Sequence, residues 1–188
     1  DKKTNINEIG TSLVGQSEHG PESQCILVTK HKEIIGKVKK NILGNLKNLP
    51  RKKIAFKSLK KHGLIILCKS DNQIIDVINE AAPEHLELNI SNYKKYIGRI
   101  VNAGSVCIGK FTPMAVTDYN SGSQHTLPTL GSSRFSSGLN VNDFYKKISY
   151  VNLSKKGVAK IGRFAIHMSD FEELKAHSKS IRSRIRSK

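Results

Sequence analysis

The sequence predicts an α/β fold with a mostly parallel sheet, and three observations predict it. Short apolar runs alternate with segments of helical periodicity. The runs place Ile, Leu and Val on consecutive positions, as in Ile65-Ile66-Leu67, which is the pattern of buried strands. The alternation opens on a helical segment, whereas a helix of such a layered fold follows a strand. The chain therefore reads as an incomplete, Rossmann-like layered domain with a small helical appendage at its C-terminal end.

Ile6, Ile9, Leu13 and Val14 share the spacing of one helix, which runs into Gln16-Ser-Glu-His19 and stops at Gly20-Pro21. Cys25 to Thr29 follow as a strand. A helix is expected from about His31 to Leu46, with Ile34, Ile35, Val38, Ile42 and Leu43 on one side. Leu64 to Cys68 read as the next strand. Asp71 is the expected N-cap of a helix carrying Ile74, Ile75, Val77 and Ile78, which Pro83 ends. His85 to Ile90 alternate as a strand with Leu86 and Leu88 on one face. Asn92 to Ile100 form a short helix and Ser105 to Gly109 a strand.

From Phe111 to Gly138 the chain is rich in Gly, Ser, Thr and Pro, and a loop this long in a compact domain is usually functional. After Val141 helical spacing returns with Phe144, Tyr145 and Ile148. A last helix is expected from about Ser169, where Ser169-Asp-Phe-Glu172 has the pattern of a capping box. The division that follows is an α/β domain over 1-140 and a helical appendage over 141-188.

The chain has 188 residues, enough for one real core. Its net charge of +17 invites a nucleic-acid module as an alternative function. The lysines are spread along the whole length, and only Ile181 to Lys188 form a compact basic cluster. There is no Trp and no aromatic-rich motif for stacking bases, so a solvated basic surface is the better reading. Salt-dependent binding of DNA or RNA would favour the alternative. Cys25, Cys68 and Cys107 lie apart in strand-like runs, which implies reduced, buried thiols in a cytoplasmic protein. No apolar run is long enough for a membrane span.

Three groups of residues have the right chemistry for a site. Gln16 and His19 share a helix face, as metal ligands or as a polar C-terminal turn. Glu84 and His85 follow Pro83 at a helix-to-strand junction and suit acid–base work, or are surface polar residues. Asp118 and His125 lie in the long loop among small residues, in a site or in solvent. Glu172 and His177 are five apart in the last helix, a spacing that does not stack them on one face. No P-loop and no glycine-rich dinucleotide fingerprint occurs.

Taken together, three segments resemble one family, histidinol dehydrogenase. Gln16-Ser-Glu-His-Gly-Pro-Glu-Ser-Gln-Cys-Ile-Leu-Val-Thr29 resembles its metal-binding helix and following strand, and Ala82-Pro-Glu-His-Leu-Glu-Leu88 its catalytic segment. Ala103-Gly-Ser-Val-Cys-Ile-Gly109, Thr112-Pro113, Asp118-Tyr119, Gly122-Ser-Gln-His-Thr-Leu-Pro-Thr129 and Phe135-Ser-Ser-Gly-Leu139 resemble its long signature loop. The order and separations agree over essentially the entire chain.

The resemblance implies two-step oxidation of L-histidinol to L-histidine through the aldehyde, with NAD and Zn2+ as cofactors. It implies Gln16, His19, Asp118 and His177 as metal ligands and Glu84 and His85 as the catalytic pair. His85 would take the alcohol proton, and Glu84 would activate water at the aldehyde stage. Substrate contacts would come from Gln16, His19, His85, Asp118, His125, Glu172 and His177. It further implies a homodimer in which Glu172 and His177 complete the partner's site. Met114, Thr117 and Gln124 depart from the family's usual Glu, Gly and Asn. The family's chain is more than twice as long, and Asp1 aligns near its middle, just past a strand. The part holding most of the NAD site would lie outside this sequence, so these residues alone are expected to be poorly stable and nearly inactive.

Overall fold

The structure is a computed structural model that describes residues 1–186. The last two residues of the basic cluster, Ser187 and Lys188, lie outside the described residues. The chain forms two compact units, Asp1–Phe144 and Tyr145–Lys188.

The first unit runs α1 (Ile6–Ser17), β1 (Cys25–Thr29), α2 (Lys32–Leu46), α3 (Lys52–His62), β2 (Gly63–Leu67), α4 (Asp71–Ala81), β3 (His85–Leu88), α5 (Lys94–Ile97), β4 (Ser105–Ile108) and α6 (Met114–Tyr119). Two 3-10 turns follow, Ser132–Arg134 and Val141–Phe144. The α/β alternation holds, and both strand pairings are parallel. The sheet is divided: β1 pairs with β2 and β3 with β4, as two separate two-stranded sheets.

Two apolar cores flank these sheets. Val14, Leu46 and Ala55 bury the shared face of α1, α2 and α3, with Ile42, Leu49 and Leu59 packed against them. Ile75, Leu88 and Tyr96 join α4, β3 and α5, with Ile74, Ile90, Tyr93 and Ile100 around them. Full burial of such side chains stabilises by about 1.5–3 kcal/mol each for the large ones. Cys25, Cys68 and Cys107 are free and buried, as expected.

Several element boundaries differ from expectation, each for a local reason. Ser70, not Asp71, caps α4: its hydroxyl accepts from Gln73 N–H at 3.1 Å, and Gln73 Oε1 accepts from Lys69 N–H at 2.7 Å. Asp71 instead pairs with Lys30 at the end of β1 and lies in the first turn of α4. The fully buried residues of helix α3 are small, Ala55 and Ser58. The Ser58 hydroxyl donates to Ser23 O at 2.7 Å. The long loop is interrupted by α6, whose N-terminal amide, Met114 N–H, donates to Glu87 Oε1 at 2.8 Å.

The second unit is a helical hairpin, α7 (Lys155–Phe171) and α8 (Lys175–Arg186). Residues 145–154 are not helical. Ser154 caps α7 by accepting from Gly157 N–H at 3.0 Å. Ser169 does not start a helix; its hydroxyl donates to Ala165 O at 2.8 Å in the last turn of α7. The helix breaks at Glu173, which is left-handed at φ 62°. Gly162 lets the two helices approach: a Cβ there would stand 2.8 Å from Ile181 Cγ2. Asp170 closes the hairpin on Arg182 at 3.0 Å, and the Ser178 hydroxyl followed by Arg182 holds its carboxyl below the usual range.

Candidate active site

Helix α1 ends at Ser17, and the backbone turns once more as His19 N–H donates to Gln16 O at 3.4 Å. Gln16 is half-buried and His19 is exposed. Both line a cleft of about 1520 Å³ that is also lined by Glu84 and His85. Glu22, beside them, is anchored to α3: Lys61 and then His62 hold its carboxyl below the usual range.

The Glu84–His85 segment is set by unusual backbone. Ala82 ends α4 in the left-handed region, at φ 45° and ψ 60°, and is 1% exposed. A residue with a Cβ held there costs about 1–2 kcal/mol, and the position before a proline is ordinarily extended. Two bonds hold it in place. Ala82 N–H donates to Ile78 O at 2.9 Å, and the buried Ser133 hydroxyl donates to Ala82 O at 2.9 Å. Strain kept by its surroundings in this way is typical of functional sites.

Strand β4 then fixes the pair. Gly104 N–H donates to Pro83 O at 2.9 Å and Ser105 N–H to Glu84 O at 2.8 Å. Only a glycine fits at 104, since a Cβ would lie 2.7 Å from Glu84 O and 3.1 Å from Pro128 Cδ.

Helix α6 carries Asp118 to His85. Thr117 is buried, donates to Met114 O at 2.7 Å, and stands 3.5 Å from Cys107 Sγ on β4. The next residue, Asp118, places Oδ1 3.5 Å from His85 Nε2, and both side chains are nearly buried, at 7% and 10% exposure. His85 Nδ1 is buried with no hydrogen-bond partner among the described residues.

The structure thus gathers Gln16, His19, Glu84 and His85 on one cleft, with Asp118 behind His85. It leaves His125 exposed in its loop, where Gln124 Oε1 accepts from His125 N–H at 2.8 Å and Thr126 N–H at 3.0 Å. Glu172 and His177 belong to the second unit and are exposed on either side of the α7–α8 corner. Glu87, Ser133 and Gly104 were not singled out from the sequence. Only Glu87 left a signal there, an acidic residue two positions after His85 and so on the same face of the strand.

An amide oxygen, a carboxylate and two imidazoles suit zinc in kind. Among the described residues, though, no three His, Cys, Asp or Glu side chains gather as one metal site. The first unit supplies Gln16, His19 and Asp118, with Asp118 turned to His85, and His177 lies in the second unit.

A histidinol dehydrogenase family profile matches residues 1–185. The chain belongs to the histidinol dehydrogenase family. It is 52% identical over 188 residues to the histidinol dehydrogenase of Pelagibacter ubique (strain HTCC1062), covering 100% of this chain and 44% of that protein. It is 40% identical over 184 residues to that of Caldanaerobacter subterraneus subsp. tengcongensis, covering 98% of this chain and 43% of the relative. The crystal structure of histidinol dehydrogenase from Elizabethkingia anophelis superposes with a TM-score of 0.87 at 38% identity, over 98% of this chain and 42% of that one. The chain therefore spans less than half the length of these relatives. Among the described residues no helix is long and apolar enough to cross a membrane.

Proposed function

We propose that the chain carries the catalytic pair and most of the metal-binding residues of a zinc- and NAD-dependent enzyme that oxidises L-histidinol to L-histidine in two steps. One observation supports this above the others. Gln16, His19, Glu84 and His85 share a single cleft, and His85 is backed by Asp118 at 3.5 Å with its other ring nitrogen unpaired.

In this reading His85 accepts the proton that leaves the alcohol oxygen, while Asp118 holds the ring and balances the charge it gains. Glu84, one residue before it on the same rigid junction, takes a proton from the water that adds to the aldehyde. Gln16, His19 and Asp118, together with His177 of a second copy, would hold the zinc, which supplies polarisation of the substrate's groups when bound. NAD supplies the hydride acceptor, and most of its site would lie in the part of a family-length chain outside this sequence. His125 and Glu172 would add contacts to L-histidinol.

A homodimer follows from the same reading. Glu172 and His177, five positions apart, are exposed at the α7–α8 corner, and Ile161, Phe164, Met168 and Phe171 leave an apolar stripe of α7 uncovered. The buried, free thiols suit a reducing cytoplasm.

Zinc content and NADH production from L-histidinol test the proposal, measured with and without the remaining part of a family-length chain. The completed protein should bind zinc and oxidise histidinol, and the 188-residue chain alone should do so weakly. His19→Ala should lose the metal, whereas Glu84→Gln should keep it. Robust histidinol oxidation by the chain alone, or zinc binding unchanged in His19→Ala, would contradict it.

A further inference from the structure

Strand β3 presents two faces. Leu86 and Leu88 take one, where Leu88 joins Ile75 and Tyr96 in the core. His85 and Glu87 take the other, and both line the large cleft together with Met114. Helix α6 rests on that second face at two points. Its first amide, Met114 N–H, donates to Glu87 Oε1 at 2.8 Å. One turn further on, Asp118 places Oδ1 3.5 Å from His85 Nε2. The two spacings match. Met114 and Asp118 are separated by a helical rise of about 6 Å. His85 and Glu87, two strand positions apart, are separated by roughly 6.5 Å. The helix therefore runs opposite to the strand, and one of its turns spans one alternate pair of strand residues.

Helix α6 cannot hold this place by itself. It has six residues, and isolated helices shorter than about 12–15 are marginal in water. Pro113, at its N-cap, supplies no side-chain hydrogen bond. The other anchors lie to either side of the first turn. The Thr112 hydroxyl donates to Ile108 O at 2.9 Å, and Thr117 stands 3.5 Å from Cys107 Sγ. Glu87 takes the place of the missing cap, reaching from the sheet to the first helical amide.

The structure assigns Glu87 a positioning role: it fixes the start of α6 so that Asp118, one turn on, meets His85. Glu87 acts through Asp118 and not on the substrate. The assignment rests on the reading of His85 and Asp118 as site residues, and it names the side chain that sets their distance.

Two measurements on the family-length protein test it. The first needs no activity. The coupling between His85 and Asp118 is read from the urea midpoints of Asp118→Ala, His85→Leu and the double variant. It should be present in the parent and in Glu87→Gln, whose amide oxygen can accept the same N–H, and lost in Glu87→Ala. The second is steady-state oxidation of L-histidinol. Glu87→Ala should lower kcat by roughly tenfold or more, the worth of one hydrogen bond to a charged group, with KM for NAD unmoved. Glu87→Gln should stay within about threefold of the parent, as a neutral acceptor in the same place. With Asp118→Ala already present, Glu87→Ala should lower kcat no further, whereas a merely structural role would lower it equally in both backgrounds. A coupling absent from the parent, or one that survives Glu87→Ala, would overturn the assignment. So would a Glu87→Gln variant as impaired as Glu87→Ala, or full additivity with Asp118→Ala. A coupling that follows Glu87 as expected, in a protein whose Asp118→Ala variant works at the parent rate, would uphold the positioning and contradict the catalytic reading of Asp118.

Discussion

His85 Nε2 stands 3.5 Å from Asp118 Oδ1, while His85 Nδ1 is buried without a partner among the described residues. The carboxylate is the one ion-pair partner of the imidazole among the described residues. Asp118→Ala should leave the nearly buried His85 ring without its carboxylate partner, at a cost of about 1–3 kcal/mol in urea unfolding. Adding His85→Leu should recover part of that loss, so that the double variant is less destabilised than the sum of the singles. Strict additivity would show that the two side chains do not interact.

Gly104 holds the floor of the site. A Cβ at 2.7 Å from Glu84 O meets backbone, which cannot swing aside as a side chain can. Gly104→Ala should destabilise the chain by about 1–3 kcal/mol, a typical overpacking cost. It should also displace Glu84, lowering activity of the completed enzyme further than the lost stability explains. A variant with unchanged melting and unchanged rate would rule out this packing.

Ser70, rather than Asp71, should carry the capping energy of α4. Ser70→Ala should cost about 1 kcal/mol. Asp71→Asn should cost less at neutral pH, because its pairing with Lys30 is exposed to solvent. Paired urea melts of the two variants read the difference directly.

Cys25 sets an alkaline limit on stability. Burial pushes its thiol up from 9.0 to about 11, against a smaller opposing effect of the Ser58 hydroxyl. The unfolded thiol ionises near 9.0 and the folded one near 11, so between those values the folded state holds the extra proton. The contribution is complete below about pH 9 and declines as pH rises towards 11. Urea midpoints from pH 8 to pH 10.5 should fall more steeply in the parent than in Cys25→Ala.

The strands were legible because burial wrote itself into them: Cys25 to Thr29 were read to the residue, and the parallel α/β alternation followed. Helix α3 was not legible, because its fully buried residues are the small Ala55 and Ser58, and its lysines read as surface charge. Helix α7 was masked by the pattern Ser169-Asp-Phe-Glu172, which looks like a start but lies at an end, where Ser169 bonds back to Ala165. In the site, Gln16, His19, Glu84 and His85 carry recognisable side-chain chemistry. The devices that hold them do not. Ala82 is left-handed without being glycine, and Glu87 and Ser133 act on backbone far away in sequence. Such bonds depend on tertiary contacts that no local pattern records. Met114 N–H donates to Glu87 Oε1, the Thr117 hydroxyl donates to Met114 O, and Gln124 Oε1 accepts from His125 N–H.

The most direct test of the two roles assigned to neighbouring residues is the number of NADH formed per L-histidinol by the completed enzyme carrying Glu84→Gln. Removing the group that activates water, while leaving His85 and the metal ligands in place, should yield one NADH per histidinol, with the aldehyde accumulating. Two NADH per histidinol at the parent rate would contradict the assignment.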